Sequence, residues 1–289
     1  MDILGYRFMQ YAILAALLGG VSCATIGVFV VTMRLSFIGV CMSHAAFAGA
    51  LFGLLLGQNP LLFAFVFSLA GAAIIGPLAD RGELNPDTSI GIVFALMLGL
   101  AFLFMGLMSG PRTEALTLLW GSILTISGPD LAVLGVVAAV VVGLVLLFYK
   151  EIQAVIFHRE VALAVGIAAS AVFYGLLFLT GATITASLRS IGGLLIFSLI
   201  ICPAAAAYQL TYSLKRMFLL SALFGVLSGW IGLAASYLFN LPSGATIIIV
   251  AALIFALAVA FSPKRRVRRW QEKEDGPPSF DKLRTPKVL

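Results

Sequence analysis

The 289-residue chain is 62% hydrophobic and only 10% charged, with a net charge of +6 and a mean hydropathy of +1.12. Soluble domains carry about a quarter charged residues, so this composition excludes an ordinary soluble globular protein. No Asp, Glu, Lys or Arg occurs between Leu35 and Ala79. A charge at the centre of a spanning helix costs roughly 2.5–3.5 kcal/mol, which explains such an empty stretch.

The apolar runs are of the length that crosses a bilayer as helices, about 20 residues for a hydrocarbon core of about 30 Å. The chain is therefore predicted to be an all-α, polytopic membrane protein. About nine spans are predicted, at residues 8–33, 35–57, 61–79, 88–110, 131–149, 161–182, 190–210, 217–239 and 243–262. Two breaks contain no charge, but in each a polar turn residue (Asn59, Asn240) precedes a proline that cannot continue a helix.

The apolar segment 115–129 is too short to span and is predicted to lie along the interface or to enter the bilayer part-way. Residues 1–263 form the predicted transmembrane unit, and residues 264–289 a basic tail with no fixed structure. Five basic residues between Lys264 and Arg269 place this end in the cytoplasm, so nine spans put the amino terminus outside. Such charges indicate topology or contact with anionic lipid rather than with nucleic acid.

His44 is the only histidine inside a predicted span, and ionisable groups there are costly enough to suggest function. Cys41 lies three residues earlier, on the same side of a helix. A thiolate and an imidazole at this spacing can ligate zinc or a similar ion. In the alternative interpretation, Cys41 fills a small buried space and His44 hydrogen-bonds to a carbonyl.

The chain contains no Gly-x-x-x-x-Gly-Lys-Ser/Thr phosphate loop, so we expect no ATP hydrolysis by that route and do not predict an enzyme. An ion-coupled secondary transporter remains an alternative, although such proteins usually place Asp or Glu within their spans. The predicted spans contain neither residue. A structural or assembly role without transport would leave His44 unexplained.

Six motifs resemble, in order, those of the zinc/manganese/iron ABC transporter permeases, the ABC-3 family. The first, Met33-Arg-Leu-Ser-Phe-Ile-Gly-Val-Cys-Met-Ser-His-Ala, is similar to a family signature in which Arg-x-x-Ser leads into Gly-Asp-x-x-Ser-His-Ala. The other five are Asp87-Thr-Ser-Ile-Gly-Ile-Val, Leu119-Trp-Gly-Ser-Ile-Leu, Phe157-His-Arg-Glu-Val-Ala-Leu-Ala-Val-Gly-Ile, Ile200-Ile-Cys-Pro-Ala-Ala-Ala-Ala and Leu241-Pro-Ser-Gly-Ala-Thr. The resemblance covers residues 33–262.

This resemblance implies the fold of an ABC importer permease in the plasma (inner) membrane, forming the path of an ATP-driven importer of zinc, manganese or iron. It implies a homodimer, a cytoplasmic ABC ATPase subunit and an extracytoplasmic metal-binding protein as partners. The transported ion is cargo, and no permanently bound cofactor is expected. His44 would contact the ion, with Cys41 as a conditional second ligand, and Ser43 and Pro203 would line the path. Asp87 occupies the family's acidic motif position.

The loop Lys150–Glu160 resembles a coupling helix that docks on the ATPase, with Glu151 and Glu160 within it; an ordinary amphipathic connector is the alternative. Gly166 would allow close packing or a bend there. One position departs from the family: its Asp one turn before the histidine is Val40 here. Loss of a carboxylate ligand should weaken manganese binding more than zinc binding, so the transported metal stays open.

Overall fold

The computed structural model describes residues 7–81, 85–108, 123 and 126–264. Within these ranges the secondary structure is helical, without strands. The eleven helices found there are α1 (Arg7–Thr32), α2 (Ile38–Leu55), α3 (Pro60–Arg81), α4 (Pro86–Leu107), α5 (Gly128–Leu147), α6 (Tyr149–Phe157), α7 (Arg159–Ala164), α8 (Ala169–Ile191), α9 (Gly193–Leu210), α10 (Leu214–Phe239) and α11 (Ser243–Ala260).

Eight of the described helices are long and apolar enough to cross a membrane, judged by length and composition. They are α1 to α5, α8, α10 and α11. A shorter apolar stretch, Leu195–Leu210 within α9, is the remaining candidate, and counting it brings the total to the predicted nine. The predicted all-α, polytopic architecture is confirmed.

Several helices end on a residue with positive φ. The φ angles are 58° at Arg34, 66° at Gly57, 84° at Gly166 and 51° at Asn240. After each, the next amide bonds back to the last helical turn, as in the 2.9 Å bond from the Leu35 amide to the Val30 carbonyl. These bonds satisfy carbonyls that would otherwise lack a partner. The two predicted charge-free breaks, after Gly57 and at Asn240, are confirmed.

The predicted sixth span, 161–182, is wrong by eight or nine residues, because α8 runs from Ala169 to Ile191. The apolar run that begins at Val161 is interrupted at Gly166, whose positive φ ends α7 and turns the chain. Helix α8 continues to Ile191, and Gly192, where φ is 93°, ends it.

The predicted interfacial segment 115–129 lies mostly outside the described residues. Its end is visible as the start of α5, where Ser127 and Asp130 form a capping box. The Asp130 amide donates to Ser127 Oγ at 3.4 Å, and the two side chains also bond to each other. This cap starts α5 at Gly128, three residues earlier than predicted. Of the predicted tail, only Lys264 is described.

Helix α1 lies inside the bundle and approaches its neighbours closely through small residues. A Cβ on Gly20 would lie 2.8 Å from the carbonyl carbon of Gly225 on α10. A Cβ on Gly27 would overlap the carbonyl oxygen of Ile200 on α9. Small residues allow such backbone contacts, which stabilise helix pairs in membranes through dispersion. Helix α4, by contrast, packs mainly on α2 and α3 and exposes most of its surface.

The helix ends that we predict to be cytoplasmic lie together at one end of the bundle. A cavity of about 280 Å³ there is lined by Thr32, Ile156, Phe157, Tyr208, Thr211, Tyr212, Ser213, Leu214, Met217 and Lys264. The Lys264 ammonium lies 3.6 Å from the ring centroid of Tyr208 and 4.8 Å from that of Tyr212. Burial lowers the pKa of Lys264. The ends of α1, α6, α9 and α11 and the start of α10 therefore share a face.

Candidate functional site

His44 lies on α2, six residues from the start of the helix and therefore about 9 Å along its axis. Its Nδ1 atom is 2.9 Å from the carbonyl oxygen of Val40. A carbonyl oxygen can only accept, so this bond assigns the proton to Nδ1. The lone pair of Nε2 is then available, and a hydrogen bond at the other ring nitrogen is the usual way in which proteins orient a metal-binding imidazole.

The imidazole of His44 is partly exposed and lies against α4. Its ring meets Phe94 edge to face, with the centroids 5.1 Å apart and the ring planes at 86°. This contact holds the imidazole between α2 and α4 rather than in the main core. His44 thus combines a defined tautomer with access from outside the chain, as a group that meets a passing ion requires.

Cys41 and His44 occupy different environments despite their spacing. Cys41 is fully buried in the main core, in the same cluster as Ile38 and Met42. Such burial is what the packing interpretation of Cys41 expects. Among the described residues, no group of three or more His, Cys, Asp and Glu side chains comes together as a metal site. The role of Cys41 as a second ligand stays a prediction.

Ser43 and Pro203, the other predicted path residues, are both buried. The Ser43 hydroxyl lies 2.8 Å from the Gly39 carbonyl of its own helix and 3.4 Å from the Gly193 carbonyl at the start of α9. It therefore links α2 to α9. Pro203 lies inside α9, where it has no amide proton for the preceding turn. The helix nevertheless continues to Leu210.

Asp87 lies exposed in the first turn of α4, two helical turns before Phe94. A carboxylate at this end of a helix is stabilised by the helix dipole. Asp87 is thus separated along α4 from the position where that helix meets His44. The structure accounts for it as a residue that favours the start of α4.

The predicted coupling loop consists of two helices, α6 and α7. Glu151 and Gly166 both line a cavity of about 630 Å³ between this segment, α5 and α8, whereas Glu160 is exposed at the start of α7. A Cβ on Gly166 would meet no heavy atom of the described chain within 4 Å. The positive φ of Gly166 supports the predicted bend, and the open space around it does not support close packing.

Sequence reasoning missed two residues at these sites. Phe94 faces His44, and Arg159 contacts Ser170 and Phe173 across the connection between α7 and α8. The sequence carries no signal for these three contacts. Phe94 is 50 positions from His44, and Ser170 and Phe173 are 11 and 14 positions from Arg159, so the partners come together only through the fold. Arg159 was not among the residues for which the sequence predicted a role.

The spanning helices, with a short helical segment between two of them, are the architecture of a multi-pass membrane protein. The ABC 3 transport family matches residues 5–262, and the chain belongs to that family. It is accordingly a multi-pass protein of the inner (plasma) membrane.

Several similar proteins are named as membrane components of transport systems. The chain is 33% identical over 263 residues to the manganese transport system membrane protein MntC of Listeria monocytogenes, covering 91% of this chain and 94% of the relative. It is 30% identical to the manganese import system permease protein ScaB of Streptococcus gordonii, with coverages of 90% and 94%. A Haemophilus influenzae membrane protein named for iron transport is 29% identical, with coverages of 93% and 98%.

Among solved structures, the chain resembles one of PsaBC from Streptococcus pneumoniae in complex with Fab. The TM-score is 0.82 at 29% identity, covering 93% of this chain and 97% of that one. An ABC transporter in an inward-facing conformation shares the fold at a TM-score of 0.70 and 16% identity, with coverages of 87% and 85%. The predicted permease fold is confirmed.

Proposed function

We propose that this chain is the membrane-spanning subunit of an ATP-driven importer for a divalent metal ion. The observation that carries the proposal is His44: a partly exposed imidazole within a span, with Nδ1 bonded to a backbone carbonyl and Nε2 available. Family membership supports the same reading. In this proposal the chain moves the ion without changing it chemically.

Two copies of the chain would surround one path, each presenting its His44 Nε2 to the ion. A dimer supplies two nitrogen ligands in this way, and water or carbonyl oxygens would complete the coordination. A site with so few protein ligands suits a path, because an ion must bind well enough to enter and weakly enough to leave. Cys41 would join as a ligand only after a movement of α2 that exposes its thiol.

The metal is proposed at the level of a divalent first-row ion, manganese, zinc or iron. Manganese is the metal named for relatives that are 30–33% identical over nearly the whole chain. The side chain at Val40 supplies no oxygen ligand one turn before His44, which favours zinc relative to manganese. Uptake of both ions, measured in competition, decides between them.

ATP hydrolysis is proposed to take place in a separate cytoplasmic ATPase that docks on α6 and α7, and an extracytoplasmic metal-binding protein would deliver the ion. The chain has no phosphate loop. The α6–α7 segment lies at the end of the bundle that also carries Lys264. Glu160 is exposed on it and available to a partner.

The test is metal uptake into proteoliposomes that contain this chain and its ATPase, with His44→Ala compared with Cys41→Ser at equal abundance. We expect His44→Ala to lower the initial rate by about tenfold or more, since roughly 1.4 kcal/mol of lost binding corresponds to a factor of ten. Cys41→Ser should retain the rate if the cysteine serves packing. Uptake by the His44→Ala variant at the wild-type rate would show that His44 is not part of the ion site.

The same preparation tests the ATP requirement. The isolated chain should hydrolyse no ATP, and uptake by the complex should stop when the ATPase is made inactive. Uptake driven instead by a proton or sodium gradient, without ATP, would replace this proposal with a secondary transporter.

A further inference from the structure

The α6–α7 segment is tied to α8 by one cationic side chain. Arg159, the first residue of α7, donates from Nη2 to the Ser170 hydroxyl at 3.1 Å. Its guanidinium carbon also lies 5.2 Å from the ring centroid of Phe173, a core residue. Hydrogen bonding and cation–π attraction both depend on orientation. Arg159 therefore positions α7 relative to the first two turns of α8.

Backbone hydrogen bonds, such as that from the Ile167 amide to the Ala162 carbonyl at 2.9 Å, shape the turn itself, and apolar side-chain contacts accompany them. Val155, Ala162 and Ala169 form a small apolar cluster that joins α6, α7 and α8. On the other side of α6, the cavity of about 630 Å³ separates Glu151 and Ile152 from Gly175 on α8. Apolar contacts can slide and a cavity transmits no force, so Arg159 provides a tie of defined direction between the segment and α8.

Helix α8 in turn packs on the helix that carries His44. A Cβ on Gly181 of α8 would lie 3.6 Å from Met42 Sδ and 2.8 Å from Ser68 Oγ, and the Ser68 hydroxyl donates to Met42 Sδ at 3.8 Å. Met42 is fully buried and precedes His44 by two residues on α2. A displacement of α8 along its axis would therefore act on α2 close to His44, because close-packed contacts leave little room for independent movement.

We propose that Arg159 is the positioning residue that carries movement of the α6–α7 segment into α8, and through α8 to the His44 region of α2. Arg159 touches neither the ion nor ATP. The inference rests on the proposed function, since it assumes that an ATPase acts on this segment. Two contacts support this route: Arg159 with Phe173 near the start of α8, and Gly181 with Met42 further along it. The helical backbone of α8 joins the two positions.

The experiment measures ions transported per ATP hydrolysed by the assembled complex in proteoliposomes. Arg159→Gln should lower this ratio at least threefold while ATP hydrolysis continues, because the segment would move without carrying α8 along. Arg159→Lys keeps the charge and the approach to Phe173 but cannot reproduce the fixed guanidinium geometry, so an intermediate ratio is expected. Phe173→Leu, which removes the ring but retains an apolar side chain, should lower the ratio in the same direction.

Arg216→Gln is the matched control. Arg216 is an exposed basic residue near the start of α10, at the same end of the bundle, so the variant loses the same charge without the tie to α8. Its ratio should equal that of the wild type.

A wild-type ratio in Arg159→Gln would overturn the inference. If that variant does not assemble, wild-type ratios in both Arg159→Lys and Phe173→Leu would overturn it equally. A merely structural role for Arg159 would lower transport and hydrolysis together and leave their ratio unchanged, which also contradicts the inference. Failure of the proposed function is a different result, because the wild-type complex would then show no ATP-dependent uptake at all.

Discussion

At the residue scale, the described contacts of His44 are with a backbone carbonyl and an aromatic ring. The Val40 carbonyl assigns the tautomer, and Phe94 holds the ring plane. Where the family resemblance places an Asp, the Val40 side chain adds neither charge nor a ligand. Of the two ionisable side chains of α2, the His44 imidazole is partly exposed, whereas Cys41 is buried in the core.

Restoring a carboxylate at position 40 should shift the metal preference. Val40→Asp places a hard oxygen ligand and a negative charge one turn before His44, and carboxylates suit manganese better than zinc. We expect the ratio of manganese uptake to zinc uptake to rise about tenfold, equivalent to roughly 1.4 kcal/mol of differential binding. Competitive uptake of radiolabelled manganese and zinc measures this ratio.

Val40→Asn is the control for that substitution, since it supplies an oxygen of similar size without the charge. It should change the ratio less than Val40→Asp does. Equal ratios in Val40→Asp and in the wild type would show that position 40 does not face the ion.

At the element scale, the coupling segment depends on the turn at Gly166. Its φ of 84° ends α7, and the Ile167 amide bonds back to the Ala162 carbonyl at 2.9 Å. The bend lets α7 leave the line of α8, so that Arg159 can fold back onto Ser170. Tyr149 begins α6 on the other side of the segment, and burial raises the pKa of its phenol.

Gly166→Ala should destabilise the protein although a methyl group has room there. The cost arises from the left-handed backbone, about 1 to 2 kcal/mol for an L-residue, so the Tm in detergent should fall by a few degrees. Gly175 is the matched control, because it also borders open space but lies within α8. Gly175→Ala should leave the Tm unchanged or raise it, since alanine favours helix by roughly 0.5–1 kcal/mol. Equal decreases in Tm in the two variants would show that the left-handed backbone at Gly166 is not the cause of the destabilisation.

At the scale of the whole molecule, successive spanning helices run in opposite directions, so their ends are divided between the two ends of the bundle. Thr32, Thr211 and Lys264 meet at one end of the bundle. Each lies at or just after the end of a helix, so α1, α9 and α11 run in the same direction. At the opposite end, Asn240 and Pro242 connect α10 to α11. The short helix α9 has to be counted as a crossing for this arrangement, because its end at Leu210 lies on the Lys264 face.

Reporter fusions test which face is cytoplasmic. A reporter fused after Arg269 should behave as cytoplasmic, and one inserted near Pro242 as external, because basic residues are retained on the inside. Accessibility of single cysteines introduced at the same positions provides an independent measurement. An external tail reporter would reverse the orientation of every helix.

The sequence by itself determined the class of protein and most of its spans. A charge-free apolar stretch as long as residues 35–79 is typical of membrane-spanning helices. The breaks at Asn59 and Asn240 follow from local turn chemistry that needs no partner. The six motifs likewise indicated the family and His44, because a motif is a local property. These predictions required no knowledge of which helices touch.

The tertiary structure decided what depends on neighbours. Helix α2 is buried on nearly every side, so its sequence has no polar face from which the orientation of His44 and Cys41 could be read. The limits of α8 and the tie from Arg159 to Phe173 escaped prediction for a related reason. Hydropathy does not distinguish a turn at Gly166 from a continuing helix, and a contact between separate helices exists only once the bundle has packed.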